Sequence, residues 1–182
     1  MLRAKASKLA SLPKRKAESI EPMDCAPVPK LMDGPGWVYE IKLDGYRAVA
    51  VKSDRGVSLF SRRRKSFDHH YPLIVEALAE LPEGSVVDGE IVALDESGRP
   101  NFNLLQNFRS EASRIHYFIF DLLICNDRDL TKANLPGTDT SPCGSTSPYG
   151  VEITARGQVS LWHSAACLDE CAAVRRMVQR VQ

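Results

Sequence analysis

Lys42, Asp44, Gly45 and Arg47 offer the most chemistry, standing in the order K-x-D-G-x-R within Tyr39-Glu40-Ile41-Lys42-Leu43-Asp44-Gly45-Tyr46-Arg47. A lysine inside an apolar run costs desolvation energy unless something uses it. Burial also lowers a lysine pKa readily, which turns an ammonium into a nucleophilic amine. A glycine just after it lets the backbone turn tightly or approach a ligand closely. An arginine two residues on suits phosphate or a ribose hydroxyl. The flanks, Trp37-Val38-Tyr39 and Ala48-Val49-Ala50-Val51, read as two strands joined at Asp44-Gly45, a strong hairpin signal. Such a hairpin either leaves Lys42 on a solvated edge or holds it as a nucleophile, and both readings stand.

Three further stretches carry candidate groups. Ser85 to Asp95 is strand material at Val86-Val87 and Ile91 to Leu94, interrupted by Asp88-Gly89-Glu90. Apolar residues on its C-terminal side place Glu90 within a strand and partly buried, where a carboxylate wants a cation or hydroxyl partner; an exposed turn is the alternative. Ser61-Arg62-Arg63-Arg64-Lys65 ends another strand, as a solvated loop or a surface for phosphates. Ile115 to Leu123 is the most apolar strand, with Phe120 before Asp121.

Taken in order, these segments resemble the covalent nucleotidyltransferases: ATP-dependent DNA ligases, RNA ligases and mRNA capping enzymes. The lysine segment is similar to motif I of that family, Ser61-Arg62 to motif Ia, Asp88-Gly89-Glu90 to motif III, and the Phe120 strand to motif IIIa. The approach through Glu21-Pro22-Met23, Lys30-Leu31 and Gly36-Trp37-Val38-Tyr39-Glu40 resembles the ligase domain of bacterial end-joining ligases. Phe102, Leu105 and Gln106 sit where the family has a similar F-x-x-L-Q segment, read as structural. The likeness spans about residues 21 to 130.

The resemblance implies an α+β fold of nucleotidyltransferase (ATP-grasp-like) type, with antiparallel sheets and packed helices. It implies that Lys42 attacks the α-phosphate of ATP and carries AMP, and that Glu40 and Ile41 lie beside the adenine. Arg47 and Glu90 would hold ribose and a magnesium ion, with Glu90 the metal contact, Arg62 would meet ribose or DNA, and Phe120 would stack on the base. Its partners would be ATP, nicked double-stranded DNA and other repair proteins, in bacterial cytoplasm at the nucleoid. Ligation of RNA and capping remain alternatives, as does a remnant that binds nucleotide or nucleic acid without catalysis.

The elements that must position these groups are partly legible. Ala48 to Lys52, a turn at Asp54-Arg55-Gly56, and Val57 to Phe60 form a second hairpin. Leu73, Ile74, Ala77, Leu78 and Leu81 recur at helical spacing over Tyr71–Leu81, closed by Pro82 and Gly84. Gly98-Arg99-Pro100 is a turn. Residues 134–150 have loop composition. Val151–Thr154 and Val159–Trp162 are two short strands, and Leu168–Val181 is an amphipathic helix.

The expected division is a basic tail or linker over 1–21, a partial adenylation domain over 22–130, and a divergent, partly disordered tail over 131–182. The tail carries Arg3, Lys5, Lys8, Lys14, Arg15 and Lys16 against Glu18, without the apolar core of a secretory signal. It fits a solvated tail, a basic arm on DNA or a transit peptide. Neither an E-G-x-V-x-K segment nor a K-x-K strand, the family's motifs IV and V, is found, and no OB-fold domain follows. The expectation is therefore a fold incomplete at its C-terminus.

Composition sets the bounds. At 182 residues the chain is one ordinary domain, or one with tails. Hydrophobic residues make up 43% and charged residues 26%, a globular balance. The net charge is +1, so any basic surface must be local. Nothing approaches an apolar run of about 18 residues, so no membrane span is expected. Cys25, Cys125, Cys143, Cys167 and Cys171 read as scattered reduced thiols. Cys167, Cys171 and His163 make only a weak zinc signal.

Overall fold

The sheet follows from four segments whose side chains alternate between two faces. The computed structural model describes residues 10–24, 26–30, 42–108, 115–132, 150–154 and 159–162. Strands β1 (Tyr46–Ser53), β2 (Gly56–Ser61), β3 (Ser85–Ala93) and β4 (Ile115–Cys125) are joined by β5 (Arg128–Asp129), β6 (Gly150–Thr154) and β7 (Val159–Trp162). They form one seven-stranded sheet in the order β2-β1-β3-β4-β6-β7, with β5 also paired to β4. Every pairing is antiparallel. With helices packed on it, this is the expected α+β class.

One face carries the larger core. Ala48, Ala50, Val87, Ile91, Tyr117, Ile119 and Leu122 face Ile74, Leu78, Leu81 and Leu105 from the helical segments. Tyr117 is fully buried, and its hydroxyl donates to the Ala48 carbonyl at 2.8 Å. Helix α1 (Pro72–Ala77) begins with proline at its first turn, where no amide hydrogen is needed, and tightens into a 3-10 turn at Leu78–Glu80. The helix expected over Tyr71–Leu81 is thus shorter. Its apolar stripe is narrower too, because Leu73 is 40% exposed while Ile74, Leu78 and Leu81 are buried. Helix α2 (Phe102–Asn107) is capped by Asn101, whose side-chain oxygen accepts from the Leu104 amide at 3.1 Å.

Two departures from strand alternation shape β4. Its register against β3 slips between Val86 and Val87, and again between Asp88 and Gly89. Ile119 pairs with Gly89 and Asp121 with Asp88, so Phe120 is the extra residue of a β-bulge. Leu123 is the extra residue of the other slip, and both Leu123 and Ile124 join the core of the second face. Asp88-Gly89-Glu90 does not interrupt two strands. It lies inside β3, which runs unbroken from Ser85 to Ala93.

The second face is apolar at one end and polar at the other. Val49, Val51, Val86, Leu123 and Ile124 are covered by Ala17 and Ile20 of the N-terminal segment. That segment was expected to be a solvated tail or linker, yet residues 12–20 pack along the β4–β5 hairpin. Arg15 pairs with Asp129 at 3.1 Å, Arg128 Nη1 donates to the Leu12 carbonyl, and the Asp129 amide donates to the Pro13 carbonyl. The hairpin turns at Asn126 and Asp127, both at positive φ, as a two-residue type I′ turn requires.

The hairpin of β1 and β2 stands as expected, as do β6 and β7. The strand expected at Trp37-Val38-Tyr39 and the helix over Leu168–Val181 lie outside the described residues. So do Cys25, Cys143, Cys167 and Cys171, while Cys125 is buried at the end of β4. Among the described residues no helix is long and apolar enough to cross a membrane.

Candidate functional site

The polar end of the second face gathers three of the sequence-derived candidates, Arg47, Glu90 and Phe120. Register sets Arg47 of β1 directly opposite Glu90 of β3. Alternation puts Asp88 on the same face as Glu90, two residues earlier. The bulge brings Phe120 to that face, with the Arg47 guanidinium carbon 5.2 Å from its ring centroid. This is cation–π geometry.

Asp88 is the residue that the sequence reading missed. It is 2% exposed and forms a forked ion pair with Arg47. Arg47 Nε donates to Asp88 Oδ1 at 3.2 Å and Nη2 donates to Oδ2 at 2.6 Å. The signal was present: two carboxylates at i and i+2 in an apolar strand must share a face, and Arg47 was the cation to look for. Burial pushes the Asp88 carboxyl up, and the hydrogen bonds and charge of Arg47 pull it only part of the way back.

Glu90 ties the entry loop to the sheet. Its Oε1 accepts from the Gly45 amide at 3.1 Å. Burial raises its pKa, against that hydrogen bond and the charges of Arg47 and Lys42. Gly45 has a steric reason to be glycine, since an added Cβ would lie 2.1 Å from the Ile91 carbonyl oxygen. Gly89 has another, since its Cβ would meet the Phe118 carbonyl oxygen at 2.4 Å and the Tyr117 ring at 2.7 Å. The two motif glycines thus allow strands to meet without side chains between them.

Lys42 departs from expectation in one respect. It is exposed, in a stretch without regular structure before β1, so the apolar burial expected of the nucleophile is not supplied by the described residues. Asp44-Gly45 leads into β1 as a bend. Lys42 nevertheless lies close enough to Glu90 for its charge to act on that carboxyl. Glu40 and Ile41 lie outside the described residues.

Arg62 stands apart at the end of β2, exposed and paired with Asp24. The neighbouring Met23 carbonyl accepts from Arg47 Nη1 at 2.9 Å. Residues 23 and 24 therefore link Arg62 to the Arg47–Asp88–Glu90 group. As for a metal, no cluster of three or more His, Cys, Asp or Glu residues that could hold an ion occurs among the described residues. Glu90 suits an ion that takes one carboxylate and otherwise water and phosphate, as magnesium does.

The chain matches the family model described as "ATP dependent DNA ligase domain" over residues 16–138, more than half its length. It is 42% identical over 97 residues to the multifunctional non-homologous end joining protein LigD of Pseudomonas aeruginosa, covering 52% of this chain and 12% of that one. It is 38% identical over 128 residues to DNA ligase C1 of Mycolicibacterium smegmatis, covering 62% and 37%. A solved structure, mycobacterial DNA ligase D complexed with ATP and MES, aligns at 36% identity over 50% of this chain and 31% of that one, with a TM-score of 0.43. The chain thus spans a small part of these relatives. With Arg47, Glu90 and Phe120 on one sheet face and the family match running through every motif residue, it belongs to the ATP-dependent DNA ligase domain family.

Proposed function

We propose that the chain is the adenylation part of a DNA ligase. The Lys42 amine attacks the α-phosphate of ATP, the bond to the β-phosphate breaks, pyrophosphate leaves, and AMP stays on Lys42 as a phosphoramidate. The 5′-phosphate of a nick then takes the AMP from Lys42, and the 3′-hydroxyl displaces AMP to form the phosphodiester. The observation that supports this most is the antiparallel register, which sets Arg47 against Glu90 and Phe120 beside Arg47, with the Lys42 charge acting on Glu90.

Each group has a defined task in this reading. Phe120 offers a ring to the purine; base–aromatic stacking contributes about 1–3 kcal/mol. Glu40 and Ile41 border the base. Arg47 and Glu90 bind ribose hydroxyls, and Arg62 meets ribose or the DNA backbone. Glu90 is the carboxylate that would hold magnesium, which when bound draws charge from the phosphates. The end joining in the relatives' names supports repair partners, and a nucleoid setting belongs to the same proposal.

A second reading, nucleotide or nucleic-acid binding without transfer, is favoured by the exposure of Lys42. Incubation with magnesium and α-labelled ATP, followed by a denaturing gel, separates the two. The transfer reading requires a covalent label that Lys42→Ala loses at unchanged melting temperature. ATP bound but never attached, in folded protein, would favour the second.

A further inference from the structure

The Arg47–Asp88 pair is costly for what it returns as stability. Burying Asp88 and most of Arg47 costs solvation of both charges, and good geometry does little more than offset that. An ion pair kept at such a place needs a positional reason. One is visible in what else Arg47 touches. Its guanidinium is held edge-on by both oxygens of Asp88 and lies over the Phe120 ring. Phe120 is the extra residue of a bulge, so the ladder that orients its neighbours does not orient it. It is half-buried, so packing holds it only in part. Among the described residues the Arg47 guanidinium lies over its ring, and what holds the guanidinium in plane is Asp88.

We propose that Asp88 is a positioning residue for nucleotide binding: through Arg47 it pins one face of the Phe120 ring and leaves the other face to the base. The inference rests on the proposed stacking role of Phe120. It assigns to the first carboxylate of Asp88-Gly89-Glu90 a task separate from that of Glu90. Asp88 touches neither the nucleotide nor the metal. A lysine at position 47 would keep the charge but lose the flat fork that matches both the carboxylate and the ring.

The test reads the ring first and the nucleotide second. The protein, with its six phenylalanines replaced by para-fluorophenylalanine, gives fluorine resonances of which Phe120 is assigned by its loss in Phe120→Leu. Asp88→Asn should shift the Phe120 resonance and leave the others in place, and Arg47→Lys should do the same if Asp88→Asn does not fold. An unmoved Phe120 resonance in either folded variant overturns the proposal.

ATP affinity is then measured by equilibrium dialysis in the Lys42→Ala background, where no transfer occurs. Asp88→Asn and Phe120→Leu should each weaken ATP about five- to tenfold, a fraction of one stacking interaction. The double variant should be no weaker than Phe120→Leu alone, whereas losses that multiply would show Asp88 acting independently of the ring and overturn the proposal. Absence of ATP binding in the Lys42→Ala parent would bring down the nucleotide reading itself, and the fluorine result would still decide whether Asp88 positions Phe120.

Discussion

Glu90 and Asp88 show how a family motif looks when each atom must be accounted for. Both carboxyls are raised by burial, so the folded state favours their protonated forms. A carboxyl whose folded pKa lies above its unfolded one adds stability at low pH and loses it as pH rises through the folded pKa. Glu90→Gln keeps the oxygen that accepts from Gly45 and removes the charge. Its melting temperature should therefore match the parent's below the carboxylate range and exceed it increasingly toward neutral pH, in paired thermal melts. A constant offset at all pH values would contradict the assignment. The gain in stability should accompany a loss of nucleotide chemistry, the usual exchange at functional sites. Gly89 makes the complementary point about space. Gly89→Ala puts a methyl against the Phe118 carbonyl and the Tyr117 ring, and should cost about 1–3 kcal/mol in urea denaturation. An unchanged midpoint would mean the strands part more easily than their packing implies.

Among the elements, some were readable in the sequence and others were not, for physical reasons. The β1–β2 hairpin was legible because Asp54-Arg55-Gly56 separates two alternating runs, and Gly56 does take the positive φ the turn needs. β4 was legible as a strand and illegible in detail. In Ile115-His116-Tyr117-Phe118-Ile119-Phe120-Asp121-Leu122-Leu123 apolarity is nearly continuous, so no period reveals where two bulges shift the faces. The position that decides what Phe120 can touch was therefore hidden. Helix α1 was found by its spacing but drawn too wide, because Leu73 is apolar and still faces water. The two positions give a contrast: Leu78→Ala should cost about 2–5 kcal/mol, and Leu73→Ala should stay within about 0.5 kcal/mol. Equal costs in denaturant titrations would put the helix in a different rotation.

At the scale of the whole molecule, one sheet separates two tasks. Its first face holds the main core under the helices. Its second face is sealed at one end by residues 12–20 and left polar at the other, where Arg47, Asp88, Glu90 and Phe120 meet. The packing of residues 12–20 is hidden in the sequence because lysines and arginines dominate that segment's composition. Ala17 and Ile20, the two residues that pack, are too few to stand out. Lys42, Arg47, Arg62, Glu90 and Phe120 were all named from motif order. The Met23–Asp24 link was not, because a carbonyl contact or ion pair between distant segments leaves no spacing in the sequence, whereas Asp88 left its spacing from Glu90 as a signal that was given no task.

The most direct measurement follows the AMP to its atom. The protein is incubated with ATP and magnesium, digested, and the peptides are read by mass spectrometry. The account predicts one adenylyl group, on the peptide that contains Lys42 and fragmenting to that lysine, and none in Lys42→Ala. An adenylyl group on another residue, or unmodified Lys42 in protein shown by dialysis to bind ATP, would contradict it.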